Sequence, residues 1–166
     1  DAGAKGIIVP MVNTVRDAKN AIESTYYYPK GKRGVGLTKA SNFGYNFDKY
    51  VKKESQKIKL ILQIESIEGI NNLEKILDLK NIAGTLLGPY DLSASLGIIG
   101  KLENTLVKNA IKKYENISKN KKISMGIHVA EPNVSKIKIA QKKKYKFIAS
   151  GTDMIFLGNS CKEFIK

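Results

Sequence analysis

Short apolar runs alternate with amphipathic stretches along the whole chain. Gly6 to Val12 (GIIVPMV), Leu60 to Glu65 (LILQIE), Gly84 to Gly88 (GTLLG), Ile123 to Val129 (ISMGIHV) and Phe147 to Ser150 (FIAS) are nearly continuous apolar segments. Such segments suit strands of a parallel sheet covered on both faces. Between them, apolar positions recur at helical spacing: Val15, Ala18 and Ile22, then Ile70, Leu73, Ile76 and Leu77. A third stripe, Leu106, Ala110, Ile111, Tyr114 and Ile117, predicts a helix from about Asn104 to Lys119. Thr14 followed by Asp17 has the form of a capping box. A short helix is expected over Phe47 to Glu54, another after Pro132, and a last one opening at Ser160. Pro29, Gly31, Gly34 and Gly36 mark Tyr26 to Gly36 as loop.

The pattern amounts to about five βα units with no hairpin signal, which leaves a doubly wound sheet or a (β/α)₈ TIM barrel. No G-x-G-x-x-G follows the first strand, which weighs against a dinucleotide-binding sheet. A complete barrel takes about 250 residues, and this chain has 166. The expected architecture is therefore α/β, a partial TIM barrel in which residues 1–166 form a single domain holding roughly the last five of eight units. The chain opens on Asp1 within DAGAKG, which reads as the end of a helix. The natural protein is accordingly expected to start further upstream, with the N-terminal barrel units there.

Composition changes this picture only at the margins. A hydrophobic share of 42% is enough for a core, and no run approaches the length of a membrane span, so no membrane partner is expected. A single Cys161 rules out an internal disulfide framework and fits a reducing, cytoplasmic setting. The net charge of +14 suggests nucleic acid at first sight, but all but two of the 29 basic residues are lysine, the exceptions being Arg16 and Arg33. Arginine is the usual reader of phosphate forks and base edges. The lysines are scattered, and the one dense cluster, Lys142 to Lys144, falls at a helix end, where cations complement the dipole. No nucleic-acid partner is expected.

The candidate chemistry lies in two acids. Glu65 ends one buried strand and Asp91 follows the next, inside GPYDLS. A buried carboxylate is costly unless a cation or partner compensates it, and both barrels and open sheets place functional groups at the carboxyl ends of strands. Oxygen-only ligands point to a hard divalent ion such as Mg²⁺ or Mn²⁺. The alternative is that the acids cap helices or pair with lysines. Lys57 and Lys59 precede their strand and sit at the wrong end for a Schiff base. Asp153 is at the correct edge and is expected to cap the following turn. Arg33, in a loop, reads as a loop or subunit-contact residue. His128 ends its strand and is expected either to sit in a polar rim or to face the barrel mouth.

DAGAKGIIVPMV, YYPKGKRGVG, LILQIES, GINNLEKIL and GPYDLSASLG, in this order and spacing, resemble the HpcH/HpaI aldolase family, metal-dependent class II pyruvate aldolases related to citrate-lyase beta subunits. The resemblance covers essentially the whole chain. It implies a TIM barrel, commonly a homo-hexamer, and a carbon–carbon lyase. The implied reaction is (retro-)aldol cleavage of a 4-hydroxy-2-oxo acid to pyruvate and an aldehyde through a metal-stabilised pyruvate enolate, with Mg²⁺, Mn²⁺ or Co²⁺ as the ion. On this resemblance Glu65 and Asp91 are the metal ligands. Gln63 is a polar neighbour of the ligand on the same strand face, and Gly88 and Pro89 form the segment that receives the carboxylate end of pyruvate.

The family's base, a His working with an Asp, and its substrate Arg come from the first three units, so no catalytic residue is assigned in this chain. Taken by itself the chain is expected to be inactive. His128, if functional, is expected to touch the aldehyde half. One departure is Ala83, where the family commonly carries an acid. Alternatives on the same scaffold are a citrate-lyase-like or malyl-CoA-type lyase, or a truncated non-catalytic subunit. GPYDLS favours the aldolase branch.

Overall fold

In the computed structural model, which describes residues 1–165, five parallel strands lie side by side in chain order. They are β1 (Gly6–Val9), β2 (Lys59–Ile64), β3 (Gly84–Leu87), β4 (Ser124–Val129) and β5 (Phe147–Ser150). The crossovers carry α1 (Val15–Thr25), α2 (Phe47–Lys49), α3 (Ile67–Ile76), α4 (Pro89–Ser95), α5 (Thr105–Asn120) and α6 (Val134–Lys142), and α7 (Asp153–Phe164) follows β5. A strand order that never reverses is the wall of a barrel; a doubly wound sheet switches direction at its middle. The five strands form a half-barrel.

Side-chain alternation assigns the two faces. Leu60, Leu62 and Ile64 of β2, Leu87 of β3 and Met125 of β4 are buried in one cluster with Ile70, Leu73 and Ile76 of α3 and Val107, Ala110 and Tyr114 of α5. This is the helix-covered face. Residues of the opposite parity, including Gln63, Leu86, Gly126 and His128, face the concave side. On that side Phe147 lies over Gly126: a Cβ added there would come within 2.0 Å of its ring. The glycine is what lets the ring lie flat against the strand.

Polar ties hold the helix layer to the sheet. Tyr114 Oη and Thr85 Oγ1, both fully buried, are 2.7 Å apart. Tyr145 Oη and Lys143 Nζ both donate to Glu115 Oε1, each at 2.9 Å, so a buried carboxylate is paired instead of orphaned. Arg33 stacks on Tyr27 and Tyr50, with its guanidinium carbon 4.6 Å and 5.6 Å from the ring centroids. It donates to Asp1 Oδ1 and Tyr50 Oη. It therefore anchors its loop, in line with a loop role.

Several expected elements differ in detail. The first strand stops at Val9, and residues 10–13 turn across the strand end. The helix expected over Phe47 to Glu54 is one turn of α-helix followed by a π turn, Tyr50–Glu54. Leu106 is 56% exposed, while Val107 takes the buried place beside Ala110 and Tyr114. Both residues lie within helical reach of that stripe, and the sheet beneath selects the second. The last helix opens at Asp153, not Ser160, and runs through Gly158. Its N-cap is Thr152, whose Oγ1 accepts from Ile155 N–H. Asp153 is therefore not the cap; among the described residues its Oδ1 accepts only its neighbour's amide, from Met154.

Candidate metal centre

Glu65 follows the last residue of β2, where the sheet ends and α3 begins. It is 4% exposed. Its Oε1 accepts a 2.8 Å bond from Met11 N–H, and its Oε2 accepts from Gln63 Nε2. Both donors are neutral. Met11 reaches the acid because residue 11 takes a left-handed backbone, φ 54°, which turns its amide back toward β2. Asn13 secures this turn. Asn13 Oδ1 accepts from Ser66 Oγ, and Asn13 O accepts from Asn72 Nδ2. Ser66 is also the N-cap of α3, accepting from Gly69 N–H.

Gly88 closes the site from β3. A Cβ there would lie 2.9 Å from both Cβ and Oε2 of Glu65 and 3.6 Å from Gln63 Nε2. No side chain fits without moving the acid. This is the close approach that glycine permits. Gln63, Glu65 and Gly88 are thus brought together at one point of the concave face. Pro89 takes the first position of α4 behind Gly88.

Asp91 is placed differently from expectation. It does not end a strand; it lies in the exposed first turn of α4. Only Glu65 is a buried strand-end acid. Among the described residues neither acid enters an ion pair. No group of three or more His, Cys, Asp or Glu that could hold a metal occurs among them. A buried carboxylate met only by neutral donors, with a second carboxylate in the turn beside it, is a hard, oxygen-only donor set of the kind a divalent cation takes.

The register carries the same level across the sheet. Ile64 pairs with Leu87, and Leu87 with Ile127. One residue further on, Glu65, Gly88 and His128 lie abreast, with His128 opposite Ala149. His128 is therefore on the concave face, half-buried. Ala83 lies at the other end of β3, where its N–H donates to Leu60 O. Two contributors had no clear signal in the sequence. The Met11 amide is a backbone group with no letter of its own, and Phe147 reads simply as a strand residue. Ser66 could have been found as a serine directly before a helical apolar pattern.

The whole chain, residues 1–166, matches the family model described as HpcH/HpaI aldolase/citrate lyase. It is 31% identical over 166 residues to a 2-keto-3-deoxy-L-rhamnonate aldolase of Shigella dysenteriae, an alignment covering 96% of this chain and 60% of that protein. A protein of the same name from Escherichia coli K12 is 39% identical over 99 residues, 58% of this chain and 37% of that one. Among solved structures, an HpcH/HpaI aldolase/citrate lyase family protein from Burkholderia cenocepacia superposes with a TM-score of 0.90 at 26% identity, over 98% of this chain and 64% of that one. An HpcH/HpaI aldolase from Desulfitobacterium hafniense shares the fold, with a TM-score of 0.87 at 24% identity over 98% and 63% of the two chains. The chain thus spans about 60% of the length of the Shigella protein.

Proposed function

Because the chain belongs to the HpcH/HpaI aldolase/citrate lyase family, we propose that its protein is a carbon–carbon lyase that cleaves a 4-hydroxy-2-oxo acid to pyruvate and an aldehyde, and that Glu65 and Asp91 hold its divalent cation. The observation that supports this most is Glu65 itself, a buried acid without a cationic partner, pressed against a glycine at the carboxyl edge of the sheet. When bound, Mg²⁺, Mn²⁺ or Co²⁺ supplies Lewis-acid stabilisation of the negative charge that develops on the keto oxygen.

The residues present do the positioning. Gln63 and the Met11 amide hold both oxygens of Glu65, which fixes the carboxylate plane. Gly88 lets the Glu65 side chain lie directly against the end of β3, and Pro89 starts α4 there. The first amides of a helix have no intrahelical acceptor, so those after Pro89 are free for the carboxylate end of a 2-oxo acid. No residue of this chain is assigned as the base. Self-association is part of the same reading and is supported by the apolar side chains that α7 exposes, among them Met154, Leu157 and Phe164. Among the described residues no helix is long and apolar enough to cross a membrane.

The test is exchange of pyruvate methyl protons for deuterium, followed by NMR in the protein as its gene encodes it, with Mn²⁺ or Mg²⁺ and then with chelator. Metal-dependent exchange is expected, and Glu65→Gln and Asp91→Asn should each lower it on the order of a hundredfold or more, the scale for losing a stabiliser of developing charge. No exchange in folded, metal-loaded protein would sink the reading.

A further inference from the structure

Resting on that reading, we infer that Asn13 is a positioning residue of the metal centre. It locks the turn of residues 10–13 onto α3, this lock keeps the Met11 amide on Glu65, and the affinity for the cation depends on it. Three observations carry this. The first is where Asn13 bonds. The side chains of Pro10, Met11 and Val12 are apolar, so Asn13 has the one polar side chain of the turn. Its Oδ1 accepts from Ser66 Oγ, and its main-chain oxygen accepts a 2.8 Å bond from Asn72 Nδ2. Asn13 stands two residues after the donor of the Met11–Glu65 bond, and Ser66 directly follows the acceptor. Met11, Asn13, Ser66 and Glu65 thus close a small ring in which that bond is one link.

The second is what Asn13 is tied to. Both partners belong to α3, Ser66 as its N-cap and Asn72 in its second turn. Ile70, Leu73 and Ile76 of this helix are at 0% exposure, so α3 is a fixed frame. It also sets how closely the turn approaches. A Cβ at Gly69 would lie 2.8 Å from Val12 O, so the main chain of the turn rests directly on the first turn of α3. Val12 N–H in its turn donates to Gln63 O.

The third is what Glu65 needs. Its Oε1 is held by the amide of a residue with an exposed side chain and a left-handed backbone, φ 54°. That conformation is uncommon for a residue with a side chain and persists where the surroundings impose it. The Met11 side chain, in solvent, does not impose it; the bonds of Asn13 do. Groups that orient a metal ligand from outside the coordination sphere typically change metal affinity by about ten- to a hundredfold.

Mn²⁺ binding, followed by the electron paramagnetic resonance of free Mn²⁺, tests the inference in the protein as its gene encodes it. Hydrogen exchange of residues 10–13, read by mass spectrometry, is measured on the metal-free protein in parallel. Asn13→Ala should raise the Kd for Mn²⁺ about tenfold or more and speed exchange in that segment. Tyr114→Phe, which lowers stability away from the site, should leave both at the parent value. Where circular dichroism shows Asn13→Ala unfolded, Asn72→Ala takes its place, with a rise in Kd of about threefold, the scale of one neutral hydrogen bond. The inference falls if the folded variant binds Mn²⁺ as the parent does, if Kd rises with no change in exchange, or if Tyr114→Phe weakens binding as much. Glu65→Gln separates these failures from that of the reading beneath: where it abolishes Mn²⁺ binding, the metal centre stands without Asn13. If the parent binds no Mn²⁺, or Glu65→Gln binds it unchanged, the metal centre has failed and takes this inference with it.

Discussion

The β2–α3–β3 unit and the β5–α7 unit are built on the same plan, yet they fold to opposite outcomes. In the first, Leu60, Leu62, Ile64, Ile70, Leu73, Ile76 and Leu87 are all at 0% exposure. In the second, α7 has no buried residue, and Leu157 and Phe164 are 67% and 90% exposed. The candidate metal centre stands on the first unit. A ligand placed where packing is complete is held by its surroundings, since each neighbour is itself fixed, and precise sites are generally built that way. The second unit carries apolar groups whose partner is not among the described residues. Patches of this kind mark contact surfaces.

This contrast predicts unequal costs for equal chemistry. Leu73→Ala should lower unfolding free energy by about 2–5 kcal/mol, the cost of a cavity in a packed core. Leu157→Ala should stay within about 0.5 kcal/mol in dilute protein. Urea denaturation checks both, and comparable losses would erase the distinction.

Tyr114→Phe should cost about 1–3 kcal/mol, because Thr85 keeps a buried hydroxyl beside an apolar ring. Tyr28→Phe, at an 88% exposed position, should cost almost nothing. Burial holds the Tyr114 phenol well above its ordinary value of 10.0. The unfolded chain therefore loses this proton first, and the associated stability is complete below pH 10.0 and falls as pH rises past it. Stability measured from about pH 9 to 11 should decline less steeply in the Phe variant.

Among the positions expected to respond, the cap of α1 should respond least. Thr14→Ala should cost roughly 1 kcal/mol. The Thr14 hydroxyl, with backbone amides, holds Asp17 below its ordinary 3.8. That contribution is present above pH 3.8 and lost as pH falls through the folded value, so the variant should show a shallower acid limb in an acid titration of stability.

Much of this was legible in the sequence. The strands announced themselves as apolar runs, and strand parity alone put Gln63 and Glu65 on one face. Gly88 entered only through the family resemblance, and its contact with Glu65 shows only once β2 and β3 are paired. What was not legible depended on neighbours. Leu106 and Val107 fit the helical stripe almost equally, and only the sheet below α5 separates them. Gly158 and Asn159 look like a break before Ser160, yet the helix passes through them because Thr152 caps it earlier and solvent tolerates the glycine. Asp91 was read as following the GTLLG strand, which it does, but it stands in a helix and not at the strand end, because Pro89 starts α4 two residues before it. The donors on Glu65 were half hidden, since one of them is an amide.

That amide has an evolutionary corollary. The Met11 N–H would be supplied by nearly any amino acid at position 11, proline excepted, so selection acting on the acid's support does not see the letter there. The left-handed backbone admits glycine, asparagine or aspartate at least as readily as methionine. For that contact alone position 11 is free to change where Glu65 and Gly88 are not, and any constraint on its side chain must come from something other than the acid.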